Sequence, residues 1–359
     1  MARVYLDANA SEPLHPQARA AMLQALDHAG NPSSIHADGR IARRLLEDAR
    51  EAVAARFGTP PASVVFTSGG TEADALAIHA VGQGRRLIIG DTEHDAVRAA
   101  APHAEILPVD SNGVADLAAL QTLLDGPPAL VCLMLANNET GTIQPIAAAA
   151  RLCHSAGALL HVDAAQAAGR MHVNMPGLGA DSLAISAHKL GGPQGVGALL
   201  LTPQIAQHPL IRGGGQERGW RGGTPALPAI AGLGAAARLP PTDQTQLRDI
   251  LEHHAIQAGA TVISQHAARL GNTSCLALPG VTAQMQVMSL DLAGIAVSAG
   301  AACSSGKVSR SHVLDAMGLG PLAGEAIRVS LPWNATEACV QAFAHAYQTM
   351  AQRLSRSAA

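Results

Sequence analysis

The chain has 359 residues, 48% of them hydrophobic, and a formal net charge of -3, enough to bury one large core or two coupled ones. With no Lys/Arg-rich run there is no electrostatic footprint for nucleic acid or an anionic membrane, and a small uncharged or zwitterionic substrate fits better. No apolar run reaches the roughly 18 residues of a membrane span and the first residues carry no signal-peptide pattern, so a cytoplasmic location is the expectation.

Two amphipathic helices open the chain. The first, Gln17 to His28, follows Pro16 and stops at Gly30; the second has Ile41, Leu45, Ala49, Val53 and Phe57 recurring every four residues before Gly58. Short apolar runs then alternate with helical stretches: Val64 to Phe66, Leu87 to Ile89, Ile106-Leu107, Leu130 to Leu135, Leu159 to Val162, Leu183 to Ile185 and Ala198 to Leu201. Such strands predict a mainly parallel sheet covered on both faces, an α/β architecture. The pattern breaks around Leu239 to Asp243, a helix of about a dozen residues follows, and a different series starts near Thr261, which marks a domain boundary.

In an open α/β sheet ligands bind beyond the carboxyl ends of the strands, and the polar clusters fall there. Thr67-Ser68-Gly69-Gly70-Thr71-Glu72 joins a strand to a helix; its free N–H groups and the Thr71 hydroxyl suit a phosphate, and equally a plain helix cap. Asp163 closes an apolar strand, where a carboxylate needs a cationic partner such as a protonated pyridine nitrogen. Lys189 ends the next strand in Ser186-Ala187-His188-Lys189, and apart from Lys307 it is the only lysine in the chain. Desolvated there, it would be nucleophilic enough to form a Schiff base. A pyridinium partner, a reactive amine and an anion site together are what pyridoxal phosphate (PLP) requires.

The five cysteines, Cys132, Cys153, Cys275, Cys303 and Cys339, form no C-x-x-C pair, so reduced thiols are expected rather than disulfides or a zinc site. Cys303 stands apart in the small-residue stretch Ser298 to Gly306, which predicts an accessible loop; the other four read as buried strand or helix thiols. His94 follows a strand and could stack on a ring or move protons. Asn138 lies in an Asn-rich turn, and Arg328, inside an apolar strand, must face a substrate carboxylate or a structural Asp or Glu. A nucleotide-binding loop is not supported, since Gly300 to Val308 misses the P-loop spacing, and there is no H-E-x-x-H zinc motif.

Taken in order, these segments resemble the cysteine desulfurases of the NifS/IscS-like group, in the class V branch of the PLP fold-type I aminotransferase superfamily. The matching stretches include Tyr5-Leu6-Asp7, Thr67 to Glu72, Thr92-Glu93-His94, Asn137-Asn138-Glu139, His161 to Gln166, Ser186 to Lys189, Gly213 to Gly219 with Arg221 and Thr224, and Ala302-Cys303-Ser304.

The resemblance implies a large PLP-binding domain over 15–256, with the mainly parallel sheet, and a smaller α+β domain of 1–14 and 257–359 that carries the cysteine loop. It implies that Lys189 binds the cofactor, Asp163 pairs with its ring nitrogen, Gln166 bonds its ring hydroxyl and His94 stacks on it. Gly70, Thr71, Ser186 and His188 would hold the phosphate, with Thr224 reaching in from the partner of a homodimer. Asn138 and Arg328 would bind the carboxylate of L-cysteine. Cys303 would take the sulfur as a persulfide, leaving alanine, and pass it to a sulfur acceptor or iron–sulfur scaffold protein, with a transient role as iron–sulfur ligand; no resident metal is implied. A selenocysteine lyase, an aminotransferase or a catalytically weak PLP-binding scaffold would share much of this. Departures from the family pattern fall at Asp7-Ala8-Asn9-Ala10-Ser11-Glu12, where Asp-Tyr/Asn-Ala-Ala-Thr-Thr is usual, at Ala75 and at Ala187. The loop beyond Cys303 and the C-terminal tail also differ, which leaves docking to the usual scaffold open.

Overall fold

A computed structural model describes residues 3–300 and 310–357; Cys303 and Lys307 lie outside the described residues. The chain opens on a short strand, β1 (Val4–Tyr5), and two helices, α1 (Pro16–Leu26) and α2 (Ala37–Phe57). α2 is capped by the His36 side chain, which accepts from the Gly39 N–H, and ends at Gly58 in the left-handed conformation that glycine adopts freely. Its buried stripe runs through Ala42, Leu46, Ala49, Val53 and Phe57, one residue out of step at its start with the expected stripe, so Ile41 is exposed.

The large sheet is built from β2 (Val64–Thr67), β3 (Arg86–Gly90), β4 (Glu105–Leu107), β5 (Ala129–Cys132), β6 (Leu159–Asp163), β7 (Ser182–Ser186) and β8 (Gly197–Leu201). Between them run α3 (Gly70–Val81), α4 (Asp95–Ala100), α5 (Leu117–Leu123), α6 (Ile146–Ser155) and α7 (Met175–Leu178), and α8 (Leu227–Ala237) follows. The strand order is β2-β8-β7-β6-β5-β3-β4, and only β8 runs against the rest. β2, β5, β7 and β8 are buried along their whole length, the signature of a sheet covered on both faces. The site strands therefore end on one edge, where Asp163 closes β6 and Ser186 closes β7.

A second core forms around α9 (Thr245–Gln257), β9 (Thr261–Val262), β10 (Thr273–Ala277), α10 (Ala283–Leu292), β11 (Ile295–Ala296), α11 (His312–Ala316), β12 (Ala326–Ser330) and α12 (Glu337–Ser357). β9, β10 and β12 make an antiparallel sheet, and β1 pairs with β11, which brings the start of the chain into this unit. Leu251 and Ala255 of α9 pack in this core with Leu276, Phe343 and Tyr347, so it starts on the chain ahead of the expected boundary at 256. Among the described residues no helix is long and apolar enough to cross a membrane.

One ion pair secures the turn that leads to Thr224. Arg50 donates to both oxygens of Glu217 at 2.8 and 2.9 Å, and the Phe66 N–H donates to Glu217 at 2.8 Å. Glu217 and Arg218 both sit at positive φ (47° and 53°), a conformation costing about 1–3 kcal/mol per residue that persists only where neighbours over-determine it. Replacing Glu217 by alanine removes the bidentate partner of the buried Arg50, which keeps Glu47 at 3.0 Å and the Val64 carbonyl, and leaves the Phe66 N–H without its acceptor; a fall in unfolding free energy of about 3 kcal/mol is expected in urea titration, and an unchanged midpoint would mean that the pair does not hold the turn.

Candidate active site

At the strand ends lies a cavity of about 610 Å³ walled by both units. Gly70, Thr71, His94, Asn138, Asp163 and Gln166 line it, as do Ser186, His188, Lys189 and Arg328. Ten of the candidate positions thus converge. Thr224 does not join them: it lines a separate cavity of about 250 Å³ that shares Ser68, Gly195 and Val196 with the first.

Lys189 follows β7 on a single 3-10 turn, Ala187–Lys189. Its Nζ donates to the carbonyls of Asn9 and, at 3.0 Å, Ala10. Burial, reinforced by Arg328 and Arg170, lowers its pKa to about 7. Near neutral pH a large share of the amine is unprotonated and can attack a carbonyl carbon. Capture of pyridoxal phosphate by the cofactor-free chain should accelerate as pH rises towards about 7 and level off above it, followed by absorbance after mixing; a rate still climbing steeply up to the ordinary lysine range would contradict this environment.

Asp163 is buried and accepts the Ala165 N–H at 2.8 Å. Among the described residues it has no ion-pair partner within salt-bridge distance, and burial raises its pKa. Two further buried carboxyls lie close: Asp74, bonded at 3.1 Å to His161, and Glu93, which accepts the Met134 N–H at 2.7 Å. Burial raises both, and the proximity of Asp163 adds to it. His161 is held neutral by burial, its pKa lowered to about 3. A buried acid that no described residue pairs at salt-bridge distance fits a ligand that presents a protonated ring nitrogen to Asp163.

The start of α3 lines one part of the cavity wall. α3 starts at Gly70 with its first N–H groups free of intrahelical partners. A Cβ on Gly197 would lie 2.7 Å from the Gly69 carbonyl carbon and 2.6 Å from the Ile185 oxygen, so only glycine lets β8 pack this closely behind the turn. Glu72 fixes the turn, accepting from the Ser68 N–H at 2.8 Å and pairing with Arg221 at 2.8 Å. His188 is kept neutral by burial and by Lys189, its pKa lowered to about 4, which leaves it as a hydrogen-bonding group on the cavity wall, its Nδ1 at 3.4 Å from the Ser11 hydroxyl.

His94 caps α4: its Nδ1 accepts the Ala96 N–H at 3.1 Å, so in the neutral ring the proton sits on Nε2. Gln166 donates to the Asn9 carbonyl at 3.1 Å and accepts from Arg170 at 3.1 Å. Arg328 pairs with Asp7 at 2.7 Å and reaches the Asn138 carbonyl at 3.3 Å, while its Nε has no partner among the described residues. Of the two alternatives for this cation, the structural carboxylate is present, and the guanidinium still faces the cavity. Gly300 and His312, which bracket the segment containing Cys303, also line the wall.

Three of the other cysteines are buried as expected, and burial raises the thiol pKa of Cys132, Cys153 and Cys275. Cys339 is only half-buried, because it stands in the first turn of α12. Asp7, Asn9, Asp74, Glu139 and His312 were not assigned roles from sequence. Asp7 and Glu139 stand inside matched motifs, a signal that could have flagged them; His312 had none.

Comparison with known proteins gives the family. The aminotransferase class-V family model matches residues 4–343. A cysteine desulfurase of Cereibacter sphaeroides is 46% identical over 88% of this chain and 87% of its own. One from Nostoc sp. is 38% identical over 99% and 94%. The crystal structure of a NifS-like protein from Rickettsia africae superposes with a TM-score of 0.89 at 32% identity, covering 97% of this chain and 99% of that one. The chain belongs to the class-V aminotransferase family, within its group of cysteine desulfurases.

Proposed function

We propose that the protein is a PLP-dependent cysteine desulfurase: L-cysteine and the Cys303 thiol give L-alanine and a Cys303 persulfide. A C–S bond breaks, an S–S bond forms and the substrate Cβ gains a hydrogen, so no external oxidant or reductant is needed. The observation that carries this reading is one cavity in which Lys189, Asp163 and the α3 start meet Arg328 and both ends of the Cys303 segment. Pyridoxal phosphate, when bound, supplies the electron withdrawal that labilises bonds at the substrate's carbon skeleton.

The chain's residues do the rest. Lys189 offers an amine that can hold or release a proton near neutral pH. Asp163 supplies negative charge opposite a ring nitrogen, and Gln166 a hydrogen bond to a ring hydroxyl. His94 presents an imidazole with its proton on Nε2. Gly70, Thr71, Ser186 and His188 surround the anion position. Arg328 and Asn138 take the substrate carboxylate, the guanidinium prealigned by Asp7. Thr224, outside this chain's own cavity, is read as serving the partner in a homodimer. Transfer of the outer sulfur of the Cys303 persulfide to a thiol of an acceptor or iron–sulfur scaffold protein breaks the S–S bond, restores the Cys303 thiol and completes turnover, in the reducing cytoplasm that free thiols require. We also read a division into a large cofactor-binding domain and a smaller domain carrying the cysteine segment.

The test is stoichiometry: purified protein given L-cysteine and a reductant should form alanine and sulfide one to one. Alanine without sulfide, or transfer of the amino group to a keto acid, would overturn the reading.

A further inference from the structure

Asn9 is almost fully buried and spends every polar group it has at the junction of the two units. Its Nδ2 donates to the Asn138 carbonyl and to Thr273 Oγ1, both at 3.0 Å, and its Oδ1 accepts from Asn272 at 3.1 Å. Its backbone N–H donates to Ser330 Oγ at 2.9 Å, and its carbonyl accepts from Lys189 and Gln166. The Asn138 carbonyl has a second donor, Arg328 Nη1, at the longer distance of 3.3 Å.

That shared acceptor has a chemical consequence. A guanidinium that turns towards an incoming carboxylate must give up a bond it already makes, and a carbonyl left alone in a buried site costs binding energy. With Asn9 on the Asn138 oxygen, Arg328 can release that oxygen without stranding it. Asp7 keeps its hold on the other terminal nitrogen.

We propose that Asn9 is a positioning residue for substrate-carboxylate recognition: its side-chain amide satisfies the Asn138 carbonyl and so frees Arg328 for the substrate. The inference rests on the reading of Arg328 and Asn138 as the carboxylate site. It separates the amide, which serves binding, from the Asn9 carbonyl, which serves Lys189 and survives any side-chain change.

The experiment compares wild type with Asn9→Ala on the cofactor-loaded protein. It reads kcat and KM for L-cysteine, the visible absorbance, and the Kd of 3-mercaptopropionate, which carries the thiol and carboxylate of cysteine but no amine. KM and Kd should both rise about tenfold or more, with kcat and absorbance within about twofold of wild type. Asn9→Ser, which keeps polarity in the pocket but falls short of the Asn138 oxygen, should shift KM and Kd the same way should the alanine variant fold poorly. A lowered melting temperature with KM and Kd unchanged in the folded variant would reduce Asn9 to a structural tie and overturn the proposal. So would a wild type that does not bind 3-mercaptopropionate. If wild type binds this ligand, and Asn9→Ala weakens it, while no cysteine is turned over, the desulfurase reading fails and the role of Asn9 stands.

Discussion

Lys189→Ala is expected to yield a folded protein that neither retains pyridoxal phosphate through dialysis nor turns over cysteine, a loss of about a thousandfold or more. The reason lies in the chain's economy of amines. The only other lysine is Lys307, and the amine at 189 is the one that burial and two arginines hold near neutral pH at the cavity wall. Its bonds go to backbone carbonyls of Asn9 and Ala10 rather than to a carboxylate, so its removal leaves no unpaired buried anion and the fold should survive. Colour and activity are expected to vanish together while the melting transition stays close to that of the cofactor-free wild type. A variant that keeps both would exclude Lys189 from the chemistry.

Cys303→Ser is expected to do the opposite with the cofactor: full colour, and turnover reduced by about a thousandfold or more, because a hydroxyl cannot accept sulfur as a thiolate does. None of the other thiols can substitute readily. Burial raises those of Cys132, Cys153 and Cys275 away from the reactive range, and Cys339 sits at the start of α12, outside the cavity lining. Sulfide released from cysteine as fast by the serine variant as by wild type would disprove a persulfide on Cys303.

Much of the architecture was legible because its signal is local. Seven short apolar runs became the seven strands of the large sheet, since burial on both faces demands continuous apolar sequence. The run Leu130 to Leu135 overshot: β5 ends at Cys132, although Leu133 and Leu135 still donate to β6 carbonyls at 3.0 and 2.8 Å. Apolar content alone does not mark where a ladder becomes irregular. The packing of α9 in the second core was likewise invisible, because its amphipathic pattern says that one face is buried but not against what.

For the site, residue type and strand-end position were enough to single out Lys189 and Asp163. Roles that depend on distant partners were not readable. The carboxylate beside Arg328 comes from Asp7, 321 positions away, and Asn9 finds its partners 129 and 264 positions off. Only the return of β1 to the second unit brings them together. The reading of Cys303 rests on its loop composition, the family match and the position of Gly300 and His312 at the cavity.

The central claim is that sulfur leaves cysteine onto Cys303. It is tested most directly by mixing the cofactor-loaded protein with L-cysteine carrying labelled sulfur, without reductant, and locating the label by peptide mass analysis. The account predicts labelled persulfide on the Cys303 peptide, formed in step with an equal amount of alanine. Alanine accumulating while the label appears only as free sulfide, with the Cys303 peptide unlabelled, would contradict it.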